Sequence, residues 1–192
     1  MRRGYAVALI GLLMCGCASI HYDHTHAGKL SGRLIVEWRN PDLFIFRPDA
    51  SSPLVFVRSD ATAIQPGEMF TDGGSIPRPF WVFRNYSPWG YGPAFIVHDW
   101  LFHMHNCKLP GYEKFTLNEA AVVMSEVMKT MMETPGFDYG DKSTVYLMYT
   151  AVQTPPAEEA WNNGRCSVAP PPGGLAAPPD QVFVVEFPPR RR

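Results

Sequence analysis

The chain has 192 residues, 46% of them hydrophobic and 13% aromatic, which is enough for one domain with a real apolar core and calls for no second domain. The formal net charge is −1, and the only basic run is residues 190–192. This balance argues against nucleic acid as a partner.

The N-terminus has the three parts of an export signal. Arg2 and Arg3 supply the positive region, and the apolar run at residues 6–13 follows them. The run is shorter than the roughly 20 residues that a membrane-spanning helix needs, so it predicts a cleaved signal. Small Gly16 stands just before Cys17, where a signal peptidase would cut. We therefore predict a signal peptide at residues 1–16.

The segment around Cys17 resembles the bacterial lipobox, which implies lipidation of that cysteine with a palmitate-type anchor. The sequence departs from the usual pattern at Met14, where Leu is common, and at Cys15, where Ala or Ser is common. Cys15 is the weaker acceptor because bulky Met14 precedes it. Ala18, rather than Asp, follows Cys17, which favours the outer membrane, facing the periplasm. The alternative is an ordinary secretory signal.

Residues 17–29 are predicted to be a solvated tether between the anchor and the domain. His21, His24 and His26 cluster there with Asp23. Such a cluster has the residue types of a zinc site, but no apolar surroundings would exclude water from it. The tether is the favoured interpretation.

The domain is predicted to be α+β and to span residues 30–154. Short segments rich in Val, Ile, Phe and Trp, separated by turn residues, predict an antiparallel β-meander. These segments are residues 30–38, 43–47, 54–58 and 61–64. Helical spacing of apolar residues then predicts three packed helices, with Thr116 as the N-cap of the second. The helices are residues 94–105, 116–132 and 141–152.

A tail rich in Pro, Gly and Ala is predicted for residues 155–192, because such a composition buries little surface. Residues 181–187 within it have the composition of an edge strand. Cys107 and Cys166 are predicted to form a disulfide, since an exported protein lives where disulfides persist. Two free thiols are the alternative.

Two features could carry chemistry: one just before the first predicted helix and one within it. A Gly-rich acidic loop contains Asp72, Gly73 and Gly74, and the helix carries His98 and Asp99. Adjacent helical residues point about 100° apart, so the pair would do two jobs. Asp99 with loop oxygens suits Ca²⁺, and His98 suits a general base.

These motifs resemble a bacterial and phage domain family of unknown function. The matching runs are TDGGSIPR at residues 71–78, PWGYGPA at 88–94 and VHDWLF at 97–102. The resemblance covers roughly residues 28–133 and implies no activity; members often occur near phage tail genes or in envelope proteins. Phe102 replaces a usual Tyr, and Ala121 replaces a common Asp.

The same residues are more loosely similar to secreted phospholipases of the A2 type, which place a His-Asp pair on a helix after a calcium loop. This resemblance implies that His98 activates water while Asp72 and Asp99 hold Ca²⁺. Such a base needs a partner that orients its second nitrogen. Because Ala121 lacks a carboxylate, Asn118 or Glu119 would take that place.

Three other interpretations remain open. His98 and Asp99 could be purely structural, bonded to buried backbone and to the loop. A transition-metal site could use His98, His103 and His105, or Asp99 with His103. The aromatic residues could line a groove, although a packed core is the more common role. They are Phe80, Trp81, Phe83, Trp89 and Tyr91.

Two functions follow from the sequence. The first is a membrane-anchored envelope lipoprotein with a non-catalytic domain and an unidentified protein partner, associated with a phage or with the envelope. The second is a calcium-dependent lipid or ester hydrolase. The sequence leaves the choice open.

Overall fold

A computed structural model describes residues 16–40, 43–71, 90–137, 140–171, 174–175 and 177–188. Its helices are α1 (residues 16–24), α2 (Gly92–Cys107), α3 (Leu117–Met132), α4 (Lys142–Ala151) and α5 (Pro155–Asn163), with a 3-10 turn at Tyr112–Lys114. Its strands are β1 (Lys29–Arg39), β2 (Leu43–Phe46), β3 (Val55–Val57), β4 (Ala63–Ile64), β5 (Met69–Thr71) and β6 (Gln181–Phe187). None of the described helices is both long and apolar enough to cross a membrane. The predicted α+β class, with antiparallel strands before the helices, is confirmed.

The long strand β1 is the centre of the sheet. Its first residues pair antiparallel with β3, its last residues with β2, and residues 32–38 with β6. The change of partner occurs at Gly32, whose φ is +101° and where a Cβ would lie only 1.9 Å from the carbonyl oxygen of Pro53. Only glycine fits both the backbone conformation and the space. β5 adds to the far side of β2 and was not predicted, because its three residues carry too little pattern.

The core lies between the sheet and the helices. Leu34 and Val36 alternate on the inner face of β1, and both are essentially inaccessible to solvent. Val127 and Met128 of α3 belong to the same buried cluster, as the helical spacing predicted. Thr116 caps α3: its Oγ1 accepts a hydrogen bond of 3.1 Å from the backbone N–H of Glu119.

The N-terminal segment differs from the predicted solvated tether. Residues 16–24 are helical, and Ala18 and Tyr22 are buried against the domain. These two residues lie four positions apart, which places them on one face of α1. The polar histidines concealed this short apolar face. No zinc cluster forms from them among the residues that the structure describes.

The predicted tail also contains structure. Helix α5 begins at Pro155, the first residue of the predicted tail, because proline is well tolerated in the first turn, where its missing N–H would have no helical partner. Trp161 anchors α5: its ring lies 4.9 Å from that of Phe102 and 4.1 Å from that of His105, between centroids. The possible strand at residues 181–187 is present as β6, paired with β1.

The structure joins Cys107 and Cys166 by a disulfide, the pair that the sequence singled out. The bond links the end of α2 to the segment after α5, across 59 residues. A loop of that length predicts a loss of about 2–4 kcal/mol when the bond is removed. We expect the double variant Cys107→Ser/Cys166→Ser to unfold at a lower urea concentration, with its free energy of unfolding reduced by this amount. Equal midpoints for both proteins would contradict the prediction.

Candidate functional site

The end of β5 meets α2 through a hydrogen bond between side chains. Thr71 Oγ1 donates to Asp99 Oδ2 at 2.5 Å, and Thr71 is buried while Asp99 is partly buried. Thr71 is the first residue of the TDGGSIPR run, so the beginning of that run lies against the His-Asp helix. Asp72 and the rest of the run lie outside the described residues. The contact therefore fixes one end of the loop beside Asp99.

His98 is buried, with 3% of its surface exposed, and its ring lies against α3. Its Nδ1 is 3.2 Å from the carbonyl oxygen of Ala120. A carbonyl oxygen only accepts hydrogen bonds, so Nδ1 carries the proton in the neutral imidazole. Nε2 is then the basic nitrogen, which is the tautomer that a general base or a metal ligand needs. The ring also contacts that of Phe102, with 4.9 Å between centroids.

The orienting partner of His98 is therefore a backbone carbonyl, and the prediction of Asn118 or Glu119 in this role is wrong. Asn118 Nδ2 instead donates to Tyr149 and Gln153, and Glu119 pairs with Arg58 at 3.3 Å.

A side-chain pattern cannot reveal a backbone partner. The only sequence feature at this position is the pair Ala120 and Ala121, both fully buried. Such small residues let two helices approach closely, which is how the α3 backbone comes within reach of the imidazole.

Comparison with known proteins places the chain in a family. Residues 50–152 match the family described as a protein of unknown function (DUF1353). The chain belongs to this family. The resemblance inferred from the motifs is thus confirmed, although the match begins later than expected and extends to the end of α4. No curated protein and no solved structure gives a match.

Within the DUF1353 match lie Thr71, His98 and Asp99, so the site is part of the family domain. The other histidines of α2 do not join it. The His103 ring stacks on Trp100, with 5.3 Å between centroids, and the His105 ring stacks on Trp161. Burial lowers the pKa of both imidazoles, and for His105 the charge of Lys108 adds to this effect.

The metal sites proposed from sequence receive no support from the described part of the chain. No group of three or more His, Cys, Asp or Glu side chains is placed there as an ion would require. This applies to the histidine-based zinc sites on α2, whose residues are all described. The calcium hypothesis includes Asp72, which lies outside the described residues, and so stays a prediction.

The aromatic groove stays a prediction as well, because four of its five residues lie outside the described ranges. They are Phe80, Trp81, Phe83 and Trp89. The fifth, Tyr91, is fully buried in the core of the DUF1353 domain, and its ring lies 5.6 Å from that of Phe137. For Tyr91, packing is therefore the role that the structure indicates.

The contact between Thr71 and Asp99 leads to a stability prediction. Thr71→Val keeps the shape of the side chain but removes the donor to a partly buried carboxylate. We expect a loss of about 1.5–3 kcal/mol, the range for a hydrogen bond to a charged group. Thr71→Ser keeps the hydroxyl and serves as the control. Urea unfolding that gives the same stability for Thr71→Val as for Thr71→Ser would contradict the prediction.

Proposed function

We propose that this protein is a lipoprotein of the bacterial cell envelope, held to the membrane through a lipid on Cys17 and carrying the DUF1353 domain. The observation that carries the proposal is the N-terminal pattern: a basic start, the apolar run at residues 6–13, and Gly16 before Cys17. Ala18 after the cysteine favours the outer membrane, with the domain in the periplasm.

Two features of the fold support this proposal. Cys17 is exposed and takes no part in a disulfide, so an acylating enzyme could reach its sulfur. The disulfide between Cys107 and Cys166 suits an oxidising compartment such as the periplasm. On this proposal the domain acts at the envelope as a binding module for a protein partner, either for a resident phage or for the envelope itself.

Labelling with an alkyne analogue of palmitate tests the anchor. Cells that express the full chain should incorporate the label into the protein, and Cys17→Ser should remove it. Incorporation that is equal in wild type and Cys17→Ser would contradict acylation at this residue. The Cys15→Ser variant is the matched control, because it changes the neighbouring cysteine and leaves the proposed acceptor.

A second function, cation-dependent hydrolysis of a lipid or ester, is favoured by the geometry of His98 and Asp99. The Ala120 carbonyl gives His98 the tautomer of a base, and Thr71 holds Asp99 at the beginning of the glycine loop. His98 Nε2 would take a proton from water as its oxygen attacks the ester carbonyl. The proton would then pass to the leaving alcohol as the C–O bond breaks. Ca²⁺ at Asp99 and Asp72 would polarise the carbonyl.

Calcium binding tests the second function. If Asp99 holds Ca²⁺, the ion should stabilise the folded protein by about 2.7 kcal/mol at a concentration one hundred times its dissociation constant. Asp99→Asn should abolish the stabilisation, because it removes the charge but can still accept the hydrogen bond from Thr71. Glu158→Ala, on the exposed surface of α5, should leave it intact. Identical melting curves with and without millimolar Ca²⁺ would count against this function.

A further inference from the structure

The outer face of α1 bears the proposed lipid acceptor beside an exposed apolar residue. Ile20 lies three positions after Cys17, and His24 lies seven positions after it, so the three residues are along one side of the helix. All three are exposed, and 61% of the surface of Ile20 is accessible to solvent. Ala18 and Tyr22 are on the opposite, buried side. An acyl chain on Cys17 would therefore leave the protein next to Ile20.

α1 is fixed to the domain by several polar contacts. Lys129 Nζ donates to the carbonyl oxygens of Tyr22 and Thr25 at 2.8 and 2.9 Å. His21 Nε2 lies 3.2 Å from Ser125 Oγ, a hydroxyl that is itself buried in α3. These contacts leave little freedom between Cys17 and the folded core. The position of the anchor then determines which side of the domain faces the membrane.

Two tyrosines of α4 lie beside α1. The ring of His21 lies 4.3 Å from that of Tyr149 and 5.6 Å from that of Tyr146, between centroids. Tyrosine rings suit the boundary between lipid and water, because they combine an apolar ring with a polar hydroxyl.

Charge does not oppose contact with lipid at this face. Asp23 and Lys142 are both exposed, and they pair with each other at 2.8 Å. Lys142 Nζ also lies 5.1 Å from the centre of the Tyr22 ring. The pair keeps the border of the face close to neutral, which allows it to approach both zwitterionic and anionic lipid headgroups.

We propose that the outer face of α1 rests on the surface of the bilayer and holds the domain in one orientation. This inference rests on the proposed lipid anchor, since the acylated sulfur of Cys17 brings the face to the lipid. Ile20 lies three residues further along α1, a rise of about 4.5 Å, and would enter the same interfacial layer. The domain then does not swing on a flexible tether.

The test uses full-length, lipidated protein in vesicles of phosphatidylethanolamine and phosphatidylglycerol that contain a nitroxide-bearing lipid. Single cysteines at Ile20, His24 or Val182 carry an environment-sensitive fluorophore. The native cysteines would not react, because Cys107 and Cys166 are bonded to each other and Cys17 is acylated.

Val182 is the matched control, because 51% of its surface is exposed and it is also apolar. Val182 pairs with Glu37 of β1. Glu37 lies eight residues, or about 26 Å along the strand, from Lys29, the first residue of β1 after α1. We expect labels at Ile20 and His24 to lose most of their fluorescence by quenching and to shift to shorter wavelength. The label at Val182 should do neither.

Equal quenching at all three positions, in protein that stays on the vesicles, would overturn the proposed orientation while leaving the anchor intact. Failure of the wild-type protein to stay on the vesicles would instead contradict the anchor, and the orientation with it. The two failures are therefore distinguishable.

Discussion

Cys17→Ser should move the protein almost completely from the membrane fraction to the soluble fraction. A diacylated cysteine whose amine is also acylated buries many CH₂ groups, each contributing about 0.8 kcal/mol, so the wild type should stay attached permanently. The folded domain should be unaffected, since Cys17 is exposed and makes no disulfide. Cell fractionation followed by detergent phase partition would measure the change.

Cys15→Ser provides the control for this experiment, and it should stay in the membrane fraction. If Cys15→Ser became soluble while Cys17→Ser did not, the lipid acceptor would be Cys15 and not Cys17. Membrane attachment that survived both substitutions would remove the lipid anchor altogether.

Glu126→Ala should cause a large loss of stability, about 3–5 kcal/mol. Glu126 pairs with Arg58 through two hydrogen bonds, from Nε at 2.7 Å and from Nη2 at 2.8 Å, and its side chain is only 5% exposed. The hydrogen bond to Glu126 is the main reason that the pKa of the Arg58 guanidinium is raised. Removing the carboxylate would leave a largely buried charge without its main partner. Urea unfolding of the oxidised protein would measure the loss.

Glu119→Ala is the matched control, because Glu119 also pairs with Arg58. Its side chain, however, is 41% exposed, and its distance from the Arg58 guanidinium is longer, at 3.3 Å. We expect a loss of about 1 kcal/mol or less from this variant, as is usual for solvent-exposed ion pairs. Similar losses from Glu119→Ala and Glu126→Ala would show that burial does not decide the strength of this interaction.

The sequence predicted most of the fold because most elements carry a clear periodicity. α3 was predicted almost to its ends, since apolar residues recur at helical spacing and Thr116 marks its start. α1 and α5 were missed for different reasons. In α1, histidines concealed an apolar face of only two residues, and in α5 the initial proline had the appearance of a terminator.

The candidate site was only partly predictable. His98 and Asp99 stand out because two side chains that can act as a base or as a metal ligand follow a glycine loop. The partner of His98 did not, because a carbonyl of the main chain has no sequence signature of its own. The contact of Thr71 with Asp99 depends on β5, a strand too short to recognise before the fold is known.

The mass of the N-terminal peptide of protein purified from membranes tests the account most directly. We predict a peptide that begins at Cys17 and carries the added mass of a diacylglyceryl group on sulfur and of an acyl chain on the amine. A mature chain that begins at another residue, or an unmodified Cys17, would contradict the lipid anchor and the membrane-facing orientation that follows from it.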